Sequence, residues 1–110
     1  MNVLFSENFH KNRPDELNGY KMMLSNSHVV GYLNACEALK INDLTTEIHK
    51  RLLPTLCIAG TTDGSTPPYL VKVMADKIPN SKYILIDGVG HIPCVEVPEI
   101  VTNHILNFVK

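Results

Sequence analysis

The 110-residue sequence lacks the features that indicate nucleic-acid binding or membrane insertion. Ten basic residues balance eleven acidic ones without forming a basic run, so the chain has no electrostatic footprint for phosphate backbones. No apolar run is long enough to span a membrane, and the N-terminus lacks the charged head and apolar centre of a signal peptide. We therefore predict neither a nucleic-acid partner nor a membrane-bound form.

Cysteine is also scarce. Cys36, Cys57 and Cys94 are odd in number and widely spaced, so they predict neither a disulfide framework nor a paired zinc motif. His91 and Cys94 form an H-x-x-C pair, but two ligands without two more nearby do not make a metal site. We expect no metal and a reducing, cytoplasmic compartment.

What the sequence does contain is an ordinary globular composition, with 45% hydrophobic and 19% charged residues. The chain changes character near residue 53, which divides it into segments 1–52 and 53–110. The first segment reads as helical. Its predicted helices begin at Pro14, cover residues 27–39, and cover residues 44–52. In the second of these helices Val29, Leu33 and Cys36 share one face.

The second segment alternates between strand and helix. Residues 55–59 form a short apolar run closed by Gly60, which is typical of a buried strand. Thr66 is predicted to cap a following helix that ends at residues 79–80. Residues 82–86 form a second strand, and a last helix begins near Pro98. This order predicts an α/β fold in which a right-handed crossover joins two parallel strands.

That topology places Asp63 and His91 at one edge of the sheet, because each follows the carboxyl end of one parallel strand. A carboxylate beside an imidazole can fix the tautomer of the imidazole and stabilise its charged form, which is half of a catalytic triad. Two other readings stay open. Asp63 can serve as a turn residue before Gly64, and His91 can be a structural histidine.

The local motifs around these residues resemble those of the α/β-hydrolases. Residues 53–63 (L-P-T-L-C-I-A-G-T-T-D), followed by T-P-P at 66–68, are similar to the acid segment of that family. Residues 88–91 (G-V-G-H) resemble its histidine loop, and residues 96–99 (E-V-P-E) resemble the start of its last helix. The resemblance covers about half of the chain, in order. It implies a C-terminal fragment of the α/β-hydrolase fold: part of a helical cap, then strand, helix, strand and helix.

Residues 31–39 (G-Y-L-N-A-C-E-A-L) are similar to the last cap helix of the 3-oxoadipate enol-lactonases. This resemblance implies hydrolysis of a small lactone or ester without a cofactor. In that group Asp63 corresponds to the triad acid and His91 to the general base. The Met22-Met23-Leu24 cluster reads as core, with a substrate pocket of the cap as the alternative.

The sequence departs from the family in two respects: no G-x-S-x-G nucleophile motif occurs in it, and the oxyanion-hole segment that follows an early strand of the family is also missing. Without a nucleophile and an oxyanion loop, we expect no efficient catalysis by this chain alone. The expected activity needs an N-terminal half that supplies the serine. The alternative is a non-catalytic remnant or interaction module. In either case an open strand edge favours self-association or pairing with a partner chain.

Overall fold

A computed structural model describes residues 3–110, and within them a helical segment precedes a parallel β-α-β unit. The elements are α1 (Glu7–Asn12), α2 (Pro14–Ser25), α3 (Val29–Ile41), a 3-10 turn (Ile48–Lys50), β1 (Thr55–Gly60), α4 (Pro68–Lys77), β2 (Ser81–Ile86), α5 (Pro93–Glu96) and α6 (Pro98–Val109). This order confirms the predicted fold class. The division into segments 1–52 and 53–110 stays a prediction, and its first two residues lie outside the described part.

The two strands lie side by side and run parallel. Thr55 is opposite Ser81, and Gly60 is opposite Ile86 at the other end of the pair. A parallel pair needs a crossover, because the chain has to return to the end of the sheet from which it started, and α4 supplies it. Both strands therefore finish at the same edge, and their exit loops lie next to each other.

Three clusters of buried apolar side chains hold the elements together. The first joins β1 to α4, the second joins the end of β2 to α6, and the third packs the N-terminal segment against α1 and α2. Their members are Cys57, Ala75 and Ile78; Ile86, Val89 and Val101; and Phe5, Phe9 and Leu17. The rings of Phe5 and Phe9 stack with centroids 4.6 Å apart. Stacking of two aromatic rings adds to the apolar burial that stabilises the N-terminal cluster.

Two local predictions were wrong. Residues 44–52 do not form a full helix, because the N–H and hydroxyl of Thr45 both donate to Oδ1 of Asp43, at 3.0 and 2.6 Å. Such a side-chain turn competes with helical hydrogen bonding, and only the 3-10 turn forms. Thr66 does not cap α4. Pro67 occupies the N-cap position, and the Thr66 side chain turns toward Asp63 instead.

Two short helices were not predicted. In α1 the hydroxyl of Ser6 accepts a hydrogen bond from the N–H of Phe9 at 3.2 Å, which is an ordinary N-cap. α5 begins at Pro93, two residues after His91. Glu96, the last residue of α5, hydrogen-bonds both the N-cap residue of α1, Ser6, and Gly90 of the histidine loop.

The helical segment leaves much of its apolar surface in solvent. α3 buries none of its residues, and the predicted face of Val29, Leu33 and Cys36 is exposed. Met22 and Met23 are 66% and 62% exposed, so the prediction of a core cluster there was wrong. None of the helices described for this chain is long and apolar enough to cross a membrane.

Candidate active site

Asp63 and His91 meet at the edge of the sheet where both strands end. Oδ2 of Asp63 lies 2.9 Å from Nδ1 of His91, which is a hydrogen-bonding distance. The carboxylate side is buried, with only 5% of the Asp63 side chain exposed, while 36% of the His91 side chain is exposed. The predicted proximity of the two residues is therefore present. Their catalytic role stays a prediction.

The Asp63 carboxylate is satisfied by donors on both oxygens. Oδ1 accepts the backbone N–H groups of Ser65 and Thr66, at 2.8 and 2.9 Å. Oδ2 accepts the hydroxyl of Thr66 at 3.0 Å as well as the His91 ring. Burial raises the pKa of this carboxyl, but hydrogen bonds from His91, Thr66 and Ser65 lower it by more than burial raises it. The net pKa therefore lies below the ordinary value. Asp63 is therefore a carboxylate at neutral pH.

Thr66 helps to define which nitrogen of His91 carries the proton. Its Oγ1 lies 3.2 Å from Nδ1 of the ring and donates its own proton to Asp63. Both groups that face Nδ1 are therefore acceptors toward the ring, which favours the Nδ1–H tautomer and leaves Nε2 unprotonated. The sequence interpretation missed this role of Thr66. A hydroxyl residue three positions after a turn aspartate is the signal that could have indicated it.

The N-terminal segment binds the exit loops of both strands. The carbonyl of Leu4 accepts the N–H of His91 at 2.7 Å, and the carbonyl of Val3 accepts the N–H of Gly64 at 3.2 Å. No sequence pattern predicted these contacts, because they join positions more than 60 residues apart. They fix the backbone on each side of the Asp63–His91 pair.

The glycines of the site act in two different ways. Gly88 has a positive φ of 77°, as the turn after β2 requires. Gly60 is needed for close approach instead: a Cβ there would lie 2.3 Å from the carbonyl oxygen of Val89 and 2.5 Å from that of Gly90. The histidine loop therefore rests directly on the end of β1.

Other nucleophilic residues lie in unsuitable places. Ser65 is on the loop after β1, where its N–H is bonded to Asp63, and no strand-to-helix nucleophile elbow includes it. Cys57 is buried in β1, and burial raises the pKa of its thiol, which keeps it protonated. Cys94 is exposed in the one-turn α5. Across residues 3–110, no three His, Cys, Asp or Glu side chains cluster in a way that could hold a metal ion.

Comparison with known proteins decides the family. The sequence model of the alpha/beta hydrolase fold matches residues 3–98, which is most of the chain. The chain belongs to the α/β-hydrolase family.

The similar members of the α/β-hydrolase family differ in their named activities. A proline iminopeptidase of Lactobacillus helveticus is 43% identical over 54 residues, and 3-oxoadipate enol-lactonase 1 of Acinetobacter baylyi is 32% identical over 87 residues. These matches cover 49% and 79% of this chain. The structure of a thermophilic esterase of Thermogutta terrifontis superposes with a TM-score of 0.89 at 29% identity, covering 97% of this chain. The likeness is thus to the family in general.

This α/β-hydrolase chain spans less than half of these proteins. It covers 18% of the iminopeptidase, 32% of the enol-lactonase and 40% of the esterase. Within its 110 residues no G-x-S-x-G motif is present. At the carboxyl edge of its two parallel strands the chain holds an aspartate and a histidine within hydrogen-bonding distance.

Proposed function

We propose that this chain is the C-terminal portion of an α/β-hydrolase that cleaves small carboxylic esters or lactones. Asp63 is the triad acid and His91 the general base. The observation that carries the proposal is the 2.9 Å contact between Asp63 Oδ2 and His91 Nδ1 at the sheet edge. Family membership supports this reading over that of a turn residue beside a structural histidine.

The mechanism follows from the tautomer. Nε2 of His91 removes the proton of a serine hydroxyl as the serine oxygen attacks the carbonyl carbon, and the buried Asp63 carboxylate stabilises the resulting imidazolium. His91 then returns that proton to the leaving alkoxide oxygen. A water molecule then gives a proton to His91 and attacks the acyl carbon. His91 returns this proton to the serine oxygen as the bond to the acyl group breaks, and the carboxylic acid is released. In this proposal the serine and the oxyanion donors lie outside the 110 residues, and no cofactor takes part.

The chain alone is then expected to be almost inactive. Acyl transfer needs the nucleophile, the base and preorganised oxyanion donors together, and loss of the nucleophile removes orders of magnitude in rate. The serine would come from an N-terminal half of the fold, on a partner chain or a preceding segment. The absence of G-x-S-x-G from the 110 residues supports this division of the active site.

Within the family, we favour an enol-lactonase or esterase over a peptidase. Residues 31–39 resemble the last cap helix of the enol-lactonases. Coverage by relatives does not separate the two activities, since the enol-lactonase of Acinetobacter matches 79% of this chain and a proline iminopeptidase of Clostridioides difficile matches 78%, each at 32% identity. The preference rests on the cap resemblance. The substrate is therefore proposed to be a small lactone or ester. The free thiols of Cys36, Cys57 and Cys94 support a reducing compartment such as the cytoplasm.

The test begins with the DNA upstream of the Met1 codon. A reading frame that encodes an oxyanion loop and G-x-S-x-G is co-expressed with this chain, and hydrolysis of p-nitrophenyl acetate and of an enol-lactone is measured. We expect turnover from the pair, loss of it in His91→Ala, and little change in His104→Ala, which alters a half-buried histidine of α6. Ester turnover by the pure 110-residue chain, abolished by His91→Ala, would contradict the proposed division.

The second candidate is a non-catalytic remnant that associates with itself, and the free edge of β1 favours it. Thr55 and Thr61 direct their N–H groups to the β2 side, at 3.3 Å from the carbonyl of Asn80, just before β2, and 3.0 Å from that of Ile86. Because successive residues of a strand alternate, Leu56 and Ile58 direct theirs away from β2, along an open groove of about 730 Å³. A stable homo-oligomer with no ester turnover, even beside a G-x-S-x-G chain, would favour this candidate.

A further inference from the structure

The carboxylate of Glu96, at the end of α5, gathers hydrogen bonds from two distant parts of the chain. Oε2 accepts the N–H of Gly90 at 2.8 Å and the N–H of Ser6 at 3.0 Å. Oε1 accepts the hydroxyl of Ser6. Ser6 is 3% exposed, and Gly90 is also buried, so these bonds are largely shielded from water. Hydrogen bonds to a carboxylate are stronger than bonds between neutral groups.

These contacts close a ring around the backbone of His91. Gly90 donates to Glu96, Glu96 binds Ser6, and Leu4, two residues before Ser6, accepts the N–H of His91 at 2.7 Å. The two amides that precede the imidazole are thus both held, one directly by Glu96 and one through the segment that Glu96 anchors. The atoms around Gly90 leave no room for a side chain, since a Cβ there would lie 2.6 Å from the Leu4 carbonyl oxygen and 2.9 Å from Oε2 of Glu96.

The backbone of Glu96 is itself fixed by Arg13. The guanidinium donates to the carbonyl of Glu96 at 2.8 Å and to the carbonyl of Val95 at 3.1 Å. The same group pairs with Glu16 at 2.7 Å and lies over the ring of Phe9, 4.6 Å from its centroid. A cation at the last carbonyls of α5 satisfies groups that have no partner within so short a helix. Glu96 is therefore held at both its side chain and its main chain.

We propose that Glu96 is a positioning residue for His91: its carboxylate ties the histidine loop to the N-terminal segment and so holds the imidazole against Asp63. This inference rests on the proposed function of the Asp63–His91 pair. A hydrogen bond between the two side chains needs the ring placed to within about half an ångström, and these contacts restrain the two backbone amides that precede the ring. Glu96 touches neither substrate nor reacting atoms. It acts through the loop.

The test is made on the 110-residue chain labelled with ¹⁵N, without any substrate. Long-range ¹H–¹⁵N spectra of His91 report which ring nitrogen is protonated, and amide hydrogen exchange reports the protection of Gly90. In the unchanged chain we expect the Nδ1–H tautomer and a protected Gly90 amide. Glu96→Ala should convert His91 to a mixture of tautomers. Glu96→Gln keeps the acceptor but not the charge, so it should rescue the tautomer in part and lower the protection of Gly90 about fivefold.

Glu99→Ala is the matched control, because Glu99 is an exposed carboxylate of the next helix. It should leave both readouts unchanged. A merely structural role of Glu96 would lower the protection of amides in β1 and β2 by the same factor as that of Gly90, with the tautomer intact. If Glu96→Ala does not fold, Glu96→Gln provides the test. A greater loss of hydrogen-exchange protection at Gly90 than in β1 and β2 supports the positioning role, and an equal loss indicates a merely structural one.

The outcomes separate this inference from the proposed function. If His91 of the unchanged chain lacks the Nδ1–H tautomer, the proposed pairing with Asp63 fails, and the role of Glu96 fails with it. If the tautomer is present in the unchanged chain and equally present in the folded Glu96 variants, with no selective loss at Gly90, only the positioning role of Glu96 is overturned.

Discussion

Replacing Asp63 by asparagine should reverse the protonation of the His91 ring while leaving the fold largely intact. In the unchanged chain the N–H groups of Ser65 and Thr66 donate to Oδ1 of Asp63 at 2.8 and 2.9 Å, and the asparagine keeps an oxygen that can accept both. Its NH₂ group would take the place of Oδ2, 2.9 Å from Nδ1 of His91. An NH₂ group donates, so the ring has to accept at Nδ1 and carry its proton on Nε2. We therefore expect the Nε2–H tautomer in the Asp63→Asn variant.

The Asp63→Asn substitution is expected to change stability much less than it changes catalysis. A charge-assisted hydrogen bond contributes about 1.5–3 kcal/mol, but the substitution also removes the cost of burying a charge, so the free energy of unfolding at pH 7 should fall by only about 1–2 kcal/mol. The effect on catalysis is much larger: the same change in a serine-protease triad lowers kcat about 10⁴-fold, because the base has the wrong tautomer. A chain completed by its serine half should lose activity on that scale.

The assay is the long-range ¹H–¹⁵N spectrum of His91 together with urea unfolding of both variants. Asp87→Asn is the matched control, since Asp87 is the exposed carboxylate at the end of β2 and accepts a hydrogen bond from Thr61 rather than from a histidine. It should leave the His91 spectrum unchanged. An Nδ1–H tautomer that persists in Asp63→Asn would refute the reasoning, because it would mean that Asp63 does not select the tautomer.

Three further predictions concern pH, packing and association. The pKa of Asp63 is lowered in the folded chain, so its contribution to stability is complete above the unfolded pKa of about 4 and is lost as the pH falls through the lower folded value. The difference in free energy of unfolding between the unchanged chain and Asp63→Asn should therefore be smaller at pH 3 than at pH 7. Gly60→Ala should destabilise the chain by about 1–3 kcal/mol or more, because its Cβ would lie 2.3 Å from a carbonyl oxygen, whereas Gly19→Ala, with nothing within 4 Å in α2, should be neutral or stabilising in thermal unfolding. If β1 mediates self-association, Ile58→Pro should abolish it in sedimentation, and Leu85→Pro, at the outer edge of β2, should not; the reverse pattern would assign association to β2.

The β-α-β unit could be predicted from the sequence because its signals are local. Residues 55–59 and 82–86 are short apolar runs bounded by proline, glycine and aspartate, and the chain between them has helical spacing. Once two parallel strands are predicted, topology alone brings Asp63 and His91 to one edge. Topology explains the shared edge, while the 2.9 Å distance also depends on contacts between distant parts of the chain.

The contacts that complete the site could not be predicted in the same way. Glu96 binds Ser6 across 90 positions of the chain, and no periodic pattern encodes such a pair. Thr66 was misread because a threonine before two prolines fits a helix cap as well as it fits an aspartate turn. α3 was correctly predicted to be a helix with Val29, Leu33 and Cys36 on one face, but helical spacing alone does not determine whether such a face is buried, and in the structure it is exposed.

Contacts within the chain hold Asp63 and His91 in place, whereas the apolar side chains of α3 remain exposed. Among residues 3–110, every hydrogen-bond partner of the Asp63 carboxylate comes from the loop that carries it or from His91, and the His91 backbone is held by Leu4. Leu39 of α3, by contrast, is 79% exposed. A completing half would therefore have to supply burial for α3 and a serine oxygen within reach of Nε2, but it would not have to set the tautomer. Affinity between the halves and the protonation of the base are thus expected to respond to different substitutions.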